Sequence, residues 1–299
     1  MTTLTDVFQM EPAPGYEHTH TVILLHGRGS DGKEFADEFF ECEVSENLAR
    51  TMALLARQVD GPEQPQDPLD DTPAPPPPRT LQALYPTFKW VFPSAPSIPS
   101  KRYKTDRTQW FDMWSTENPN EQEELQEPNL SESIDFINRL IDQESHVVAP
   151  DKIFLGGISQ GFATAVAAYL TGCKALGGLI GYASWAYPGL SPYEVPTGPF
   201  ASDDGKWKIK CGDVNYQMAR TPIFLSHARD DPTVPVKNGR ALCKALHNIG
   251  LKEVQWHEYE YGGHWITEPD SIDHLVYFIN RNLGPWGVTQ FEEQAGQGR

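Results

Sequence analysis

The residues Gly157-Ile158-Ser159-Gln160-Gly161 form a G-x-S-x-G directly after the strand-like run KIFLGG and directly before a segment of helical period. A serine between a strand end and a helix start takes a cramped backbone, and glycines two residues to either side relieve the clash between turn, strand and helix. Its hydroxyl then stands above the carboxyl edge of a sheet, and the helix N-terminus points partial positive charge at any developing oxyanion. Such a serine is a nucleophile only beside a base, because a free hydroxyl is barely ionised at neutral pH. Among nine histidines, His264 in Tyr261-Gly262-Gly263-His264-Trp265 has the right setting, a loop after the last predicted strand and before the C-terminal helix. Two glycines ahead of it let the chain turn and project the imidazole. His18, His146, His247 and His274 fall near element ends or on helices, and His257 falls inside a strand pattern. His26 and His227 read as structural hydrogen-bonders.

A third member, a carboxylate, is needed to hold the imidazole tautomer and stabilise its protonated form. The run Ile223–His227 leads into Ala228-Arg229-Asp230-Asp231-Pro232, and either aspartate fits on local grounds. Pro232 stiffens the loop behind Asp231, while Asp230 reads as a solvated residue or a partner for Arg229. The chain order serine, aspartate, histidine is that of α/β-hydrolases and differs from the two common serine-protease orders. Oxyanion donors are expected from the backbone N–H groups of Arg28, in the glycine-rich run Leu25–Gly32, and of Gln160, next after the serine. A phosphate-binding reading of that glycine-rich run fails for want of the lysine and spacing of a nucleotide motif. Trp110, Phe111, Phe162 and Trp265 are the candidates for an apolar substrate pocket, with core packing as the competing role.

The elements that must position these groups recur along the chain. Strands are expected at His20–Leu25, Lys89–Phe92, Lys152–Leu155, Leu176–Ser184, Ile223–Ser226 and Glu253–Tyr259. Helices are expected at Ala36–Leu55, Ser131–Gln143 (opened by the capping residues Ser131 and Ser133), Gly161–Thr171, Val236–Ile249 and Thr267–Leu283. Strands alternating with helices imply an α/β fold, a mostly parallel central sheet with helices on both faces. One domain over residues 1–289 accommodates all of them, and the residues from 290 onward read as a disordered tail. Residues 60–79, acidic and carrying four consecutive prolines at 75–78, suit only an exposed surface insertion. Residues 117–127 read as a second, acidic insertion with a solvated face.

With 299 residues and 39% hydrophobic content, a sizeable core is available and wholesale disorder is excluded. A net charge of −17 argues against nucleic acid or an anionic lipid surface as the main partner. Four scattered cysteines, with no C-x-x-C pair, fit a reduced compartment and no zinc site. The first residues lack the basic start and apolar core of a secretory signal, and the uncharged stretch 175–193 reads as strand plus loop, so a cytoplasmic protein without stable membrane insertion is expected.

With these residues placed, the chain resembles the phospholipase/carboxylesterase family that includes the acyl-protein thioesterases, especially its larger fungal-type members. The matching segments are VILLHGRGSDG (22–32), WVFPSAP (90–96), QWFDMWS (109–115), FLGGISQG (154–161), SHARDDPTVP (226–235) and YGGHW (261–265). The resemblance implies an α/β-hydrolase fold and hydrolysis of carboxylic esters or thioesters. It also selects Asp231 over Asp230, since the family's acid is the aspartate of its D-P-x-V-P element. Both insertions depart from the compact members, Arg28 stands where many carry an apolar residue, and Phe162 stands where a small one is common. The expected protein is thus a serine hydrolase without metal or cofactor: Ser159 attacks, His264 shuttles the proton, Asp231 orients it, and the Arg28 and Gln160 amides hold the oxyanion. Its substrate is an ester or thioester with an apolar acyl part, and it is a monomer or weak homodimer. The alternatives are hydrolysis of a lactone or ester intermediate of small-molecule biosynthesis, and a non-catalytic adaptor using the proline-rich loop.

Overall fold

A computed structural model describes residues 6–59, 76–172, 174–187, 190 and 214–283. Its centre is a seven-stranded sheet in the order β1-β3-β2-β6-β7-β8-β9, formed by Val7–Met10 (β1), His20–Leu25 (β2), Phe88–Pro93 (β3), Ile153–Ile158 (β6), Gly178–Tyr182 (β7), Ile223–Ala228 (β8) and Val254–Tyr259 (β9). Only β1, against β3, runs antiparallel. Every residue of β2, β6, β7 and β8 is buried, which is why these strands read as unbroken apolar runs. Side chains alternate between two cores: Ile23 and Leu25 enter one, Val22 and Leu24 the other. The first core is closed by Glu127–Glu144 (α4), Gln160–Gly172 (α5) and Val236–Asn248 (α6), the second by Gly32–Glu41 (α1), Glu46–Val59 (α2) and Asp270–Asn282 (α7). Helices therefore cover both faces, as the alternation of elements requires.

The differences from the sequence reading have local causes. The helix expected over 36–55 is two helices, because Cys42 is extended (φ −66°, ψ 134°) and Ser45 starts a new helix by accepting the Leu48 N–H on its hydroxyl. Helix α4 starts at Glu127 with a proline in its first turn, ahead of the Ser131 start that the capping residues suggested. The end of the acidic run is tied down by buried Gln126, whose Nε2 donates to the Pro119 carbonyl at 2.7 Å, while Glu117, Glu121 and Glu124 face solvent. A four-residue edge strand (β1), the short helix Leu81–Leu84 (α3) and a small hairpin, Ser97–Pro99 (β4) against Asp106–Thr108 (β5), are too short for a periodic signal. Residues 60–75 of the proline-rich segment and the tail from 290 lie outside the described residues. No helix among the described residues is long and apolar enough to cross a membrane.

Candidate active site

Strand β6 ends at Ile158, and the next residue, Ser159, sits in the left-handed region at φ 56°. A non-glycine residue there is held against its own preference. The holding groups are specific: Ser159 donates its N–H to the Tyr182 carbonyl (2.8 Å), and its own carbonyl accepts the Ser184 hydroxyl (2.7 Å) and the Ala163 N–H (3.2 Å). A Cβ on Gly157 would lie 2.4 Å from the Leu25 carbonyl oxygen, and one on Gly161 only 2.2 Å from it. The G-x-S-x-G pattern is thus a packing requirement between α5 and β2 as much as a turn requirement.

The loop after β9 carries His264. Gly262 (φ 150°) and Gly263 (φ 61°) turn the chain, and Gly263 donates its N–H to Asp230 Oδ1 at 2.8 Å. Asp230 therefore anchors this loop and is not the partner of Arg229, which pairs with Glu258 and Glu260 at 2.6 Å each. His264 Nδ1 lies 2.7 Å from Asp231 Oδ2. Asp231 is buried, its Oδ1 accepting the N–H groups of Thr233 (2.8 Å) and Val234 (2.9 Å). A second imidazole reaches the same carboxylate: His227 Nε2 is 3.1 Å from Asp231 Oδ2 and 2.8 Å from the Val234 carbonyl oxygen. Burial raises the Asp231 pKa, but hydrogen bonds from His227, His264 and the Val234 amide outweigh it and hold the carboxyl well below the usual carboxylate range. An ionised Asp231 takes the Nδ1–H of His264 and leaves the Nε2 lone pair free to act as a base.

Ser159, His264, Arg28 and Trp265 line one cavity of about 270 Å³ with Gly27 and Phe35. In the glycine-rich loop after β2, the Gly29 N–H is spent on the Thr108 carbonyl (2.8 Å) and the Ser30 N–H on the Gly27 carbonyl (3.4 Å), so neither of these two amides is available to a ligand. Gln160 opens α5, where the first amides have no intrahelical acceptor. The Gln160 side chain faces away from that task, accepting the Trp110 N–H (2.9 Å) and donating to the Phe111 carbonyl (2.8 Å). Under the loop, His26 donates from Nδ1 to the Gly27 carbonyl (2.7 Å) and accepts the Ala95 N–H on Nε2 (2.9 Å). Both ring nitrogens are thereby used in the neutral form, and burial pushes the His26 pKa down to about 4.

Three expected pocket residues belong elsewhere. Trp110, Phe111 and Phe162 are fully buried in the core and are absent from the cavity wall. Trp110 is held by its Nε1–H on the His26 carbonyl (2.9 Å), and the Phe162 ring fills the space over Gly181, where a Cβ would lie 2.4 Å from it. Trp265 does line the cavity, packed edge-on against Phe35 at 5.9 Å between ring centroids. Phe35, Tyr103, Arg107 and the second imidazole His227 are site residues that the motifs miss. Phe35 carries a signal, the apolar phase of α1; Tyr103 and Arg107 belong to a hairpin too short for a periodic signal, and His227, on β8, has no spacing that marks it as a partner of Asp231. Among the described residues no group of three or more His, Cys, Asp or Glu side chains is placed to hold a metal ion.

Comparison with known proteins agrees with this geometry. The sequence profile of the phospholipase/carboxylesterase family matches residues 78–203. Acyl-protein thioesterase 1 of Gibberella zeae is 27% identical over 275 residues, 90% of this chain and 93% of that protein. Acyl-protein thioesterase 1 of Aspergillus fumigatus is 30% identical over 210 residues, 68% of this chain and 80% of the relative. In three dimensions, Zea mays acyl-protein thioesterase 2 superposes with a TM-score of 0.60 at 21% identity, covering 93% of this chain and 99% of that one, a likeness of fold. The chain belongs to the phospholipase/carboxylesterase family and is a serine ester or thioester hydrolase of α/β-hydrolase fold.

Proposed function

We propose that this hydrolase works through a Ser159–His264–Asp231 triad and an acyl-enzyme intermediate. The observation that carries the reading is the 2.7 Å contact between His264 Nδ1 and buried Asp231, with His264 and Ser159 on the wall of the same cavity. His264 Nε2 takes the Ser159 proton as Oγ attacks the ester carbonyl, and ionised Asp231 stabilises the imidazolium that results. The oxyanion is received by the Arg28 and Gln160 amides, and the N-terminus of α5 adds partial positive charge. Imidazolium then protonates the leaving alcohol or thiol, and a water activated by the same histidine hydrolyses the acyl-serine.

Phe35, Ile158 and Trp265 give the cavity an apolar side suited to an acyl chain. The names of the relatives favour a thioester substrate, with an oxygen ester or a lactone as the second reading. Cys42 and Cys243 are free thiols, which suits a reducing compartment such as the cytoplasm. Labelling with a fluorophosphonate probe, read by mass spectrometry, tests the assignment. A stoichiometric adduct on Ser159, lost in His264→Ala, is expected, and Ser159→Ala should lower kcat by about 10⁴–10⁶. Substantial turnover by Ser159→Ala would end it.

A further inference from the structure

The hairpin β4–β5 that rims the cavity carries an unusual density of positive charge. Its segment 101–107 reads KRYKTDR, four cations in a chain whose net charge is −17. Three guanidinium groups gather on the single ring of Tyr103, Arg107 at 4.2 Å from its centroid, Arg28 at 4.9 Å and Arg102 at 5.6 Å. Arg28, Tyr103 and Arg107 all line the cavity that holds Ser159. Other arginines are paired with acids, as in the Arg229–Glu258–Arg240 cluster. None of the ion pairs among the described residues involves Arg28, Arg102 or Arg107.

Assembling like charges around one ring costs free energy, and the cost is greatest for Arg28. It is largely removed from water, its Nε has no hydrogen-bond partner, and its Nη2 reaches only the neutral Ser100 hydroxyl at 3.1 Å. Among the nearby carboxylates, Asp106 belongs to the hairpin itself and Asp31 caps α1. Asp112 is engaged by the Lys101 N–H (2.9 Å), and Glu38 stands on the cavity wall from α1. None of them forms an ion pair with these arginines. The hairpin is also fixed in place, since the Gly29 N–H and the Arg28 side chain tie the oxyanion loop to Thr108 and Ser100. Contact with the Tyr103 ring uses none of the guanidinium N–H donors; Arg102 spends one on the Trp114 carbonyl and Arg28 one on Ser100, and the others remain for a ligand. A preorganised fork of free donors beside a nucleophile is the arrangement that recognises a planar anion.

We propose, resting on the serine-hydrolase reading above, that the substrate carries a carboxylate near its scissile bond and that Arg107 and Arg28 bind it. The apolar wall formed by Phe35 and Trp265 then takes the aliphatic part of the same molecule, so the cavity sorts substrates by charge as well as by length.

Paired substrates test this in the intact protein. On the acyl side, the mono-p-nitrophenyl ester of adipic acid is compared with p-nitrophenyl hexanoate. On the leaving-group side, the butanoyl thioester of 3-mercaptopropionate is compared with that of 2-mercaptoethanol. In at least one pair the wild type should favour the anionic member by about tenfold in kcat/KM, expressed in KM. That ratio should fall several-fold in Arg107→Gln, invert in Arg107→Glu and return only in part in Arg107→Lys, which keeps the charge without the planar fork. Preference for the neutral member in both pairs, or an anionic preference untouched by Arg107→Glu, overturns the proposal. Failure of the hydrolase reading looks different: no member of either pair is turned over and Ser159 takes no fluorophosphonate.

Discussion

At the scale of single residues, Asp231 is the hub of the site. Its two oxygens receive two amides and two imidazoles, so the carboxylate is fixed in place and kept ionised. His227 contributes one of those bonds without lining the cavity and is a positioning residue. His227→Leu should lower kcat while leaving KM nearly unchanged, because Asp231 loses a donor that fixes its orientation toward His264. The same change strands the buried Val234 carbonyl at a cost of about 1–3 kcal/mol. Steady-state kinetics alongside chemical denaturation separates the two effects, and unchanged kcat in a destabilised variant would assign His227 to folding alone.

At the scale of elements, the elbow is a three-way contact of β2, β6 and α5. Gly161→Ala drives a Cβ into the Leu25 carbonyl, backbone against backbone, where no rotamer can relieve it. A loss of about 3 kcal/mol or more is expected by urea unfolding, together with displacement of Ser159. Phe162 makes the opposite case. Because its ring is buried against Gly181, Phe162→Ala should cost about 3–5 kcal/mol by the same measurement. A change in preferred acyl length without loss of stability would return Phe162 to the pocket.

At the scale of the whole molecule, burial holds His20, His26 and His257 near a pKa of about 4, against 6.5 in the unfolded chain. Between those values the unfolded chain binds protons that the folded one refuses. Acidification from 6.5 to 4 therefore favours unfolding, by up to about 1.4 kcal/mol per pH unit for each histidine. Asp231, ionised at low pH in the fold, adds to the loss only below its unfolded pKa of 3.8. Relief of repulsion among surface carboxylates works in the other direction but is screened at ordinary salt. Tm should be flat between about pH 7 and 8 and fall steeply from 6.5 toward 4; a Tm that rises on acidification would contradict the buried neutral histidines. We propose a single domain over residues 1–289, since seven of the described strands share one sheet.

The sequence by itself determined six of the seven strands of the central sheet and the strand–serine–helix elbow. Each is written in local chemistry: a short apolar run of β-branched residues bounded by turn residues suits a strand buried on both faces, and a serine between glycines at a strand–helix junction suits the cramped turn of an elbow. Tertiary structure alone decided which aromatic rings face the cavity. Trp110 and Phe162 are as apolar as Trp265, and only the packing of α5 on β7 and of His26 on Trp110 sends them inward. The same holds for the arginines around Tyr103. Their partners arrive from other elements through irregular turns, and no periodicity in one dimension records a meeting made in three.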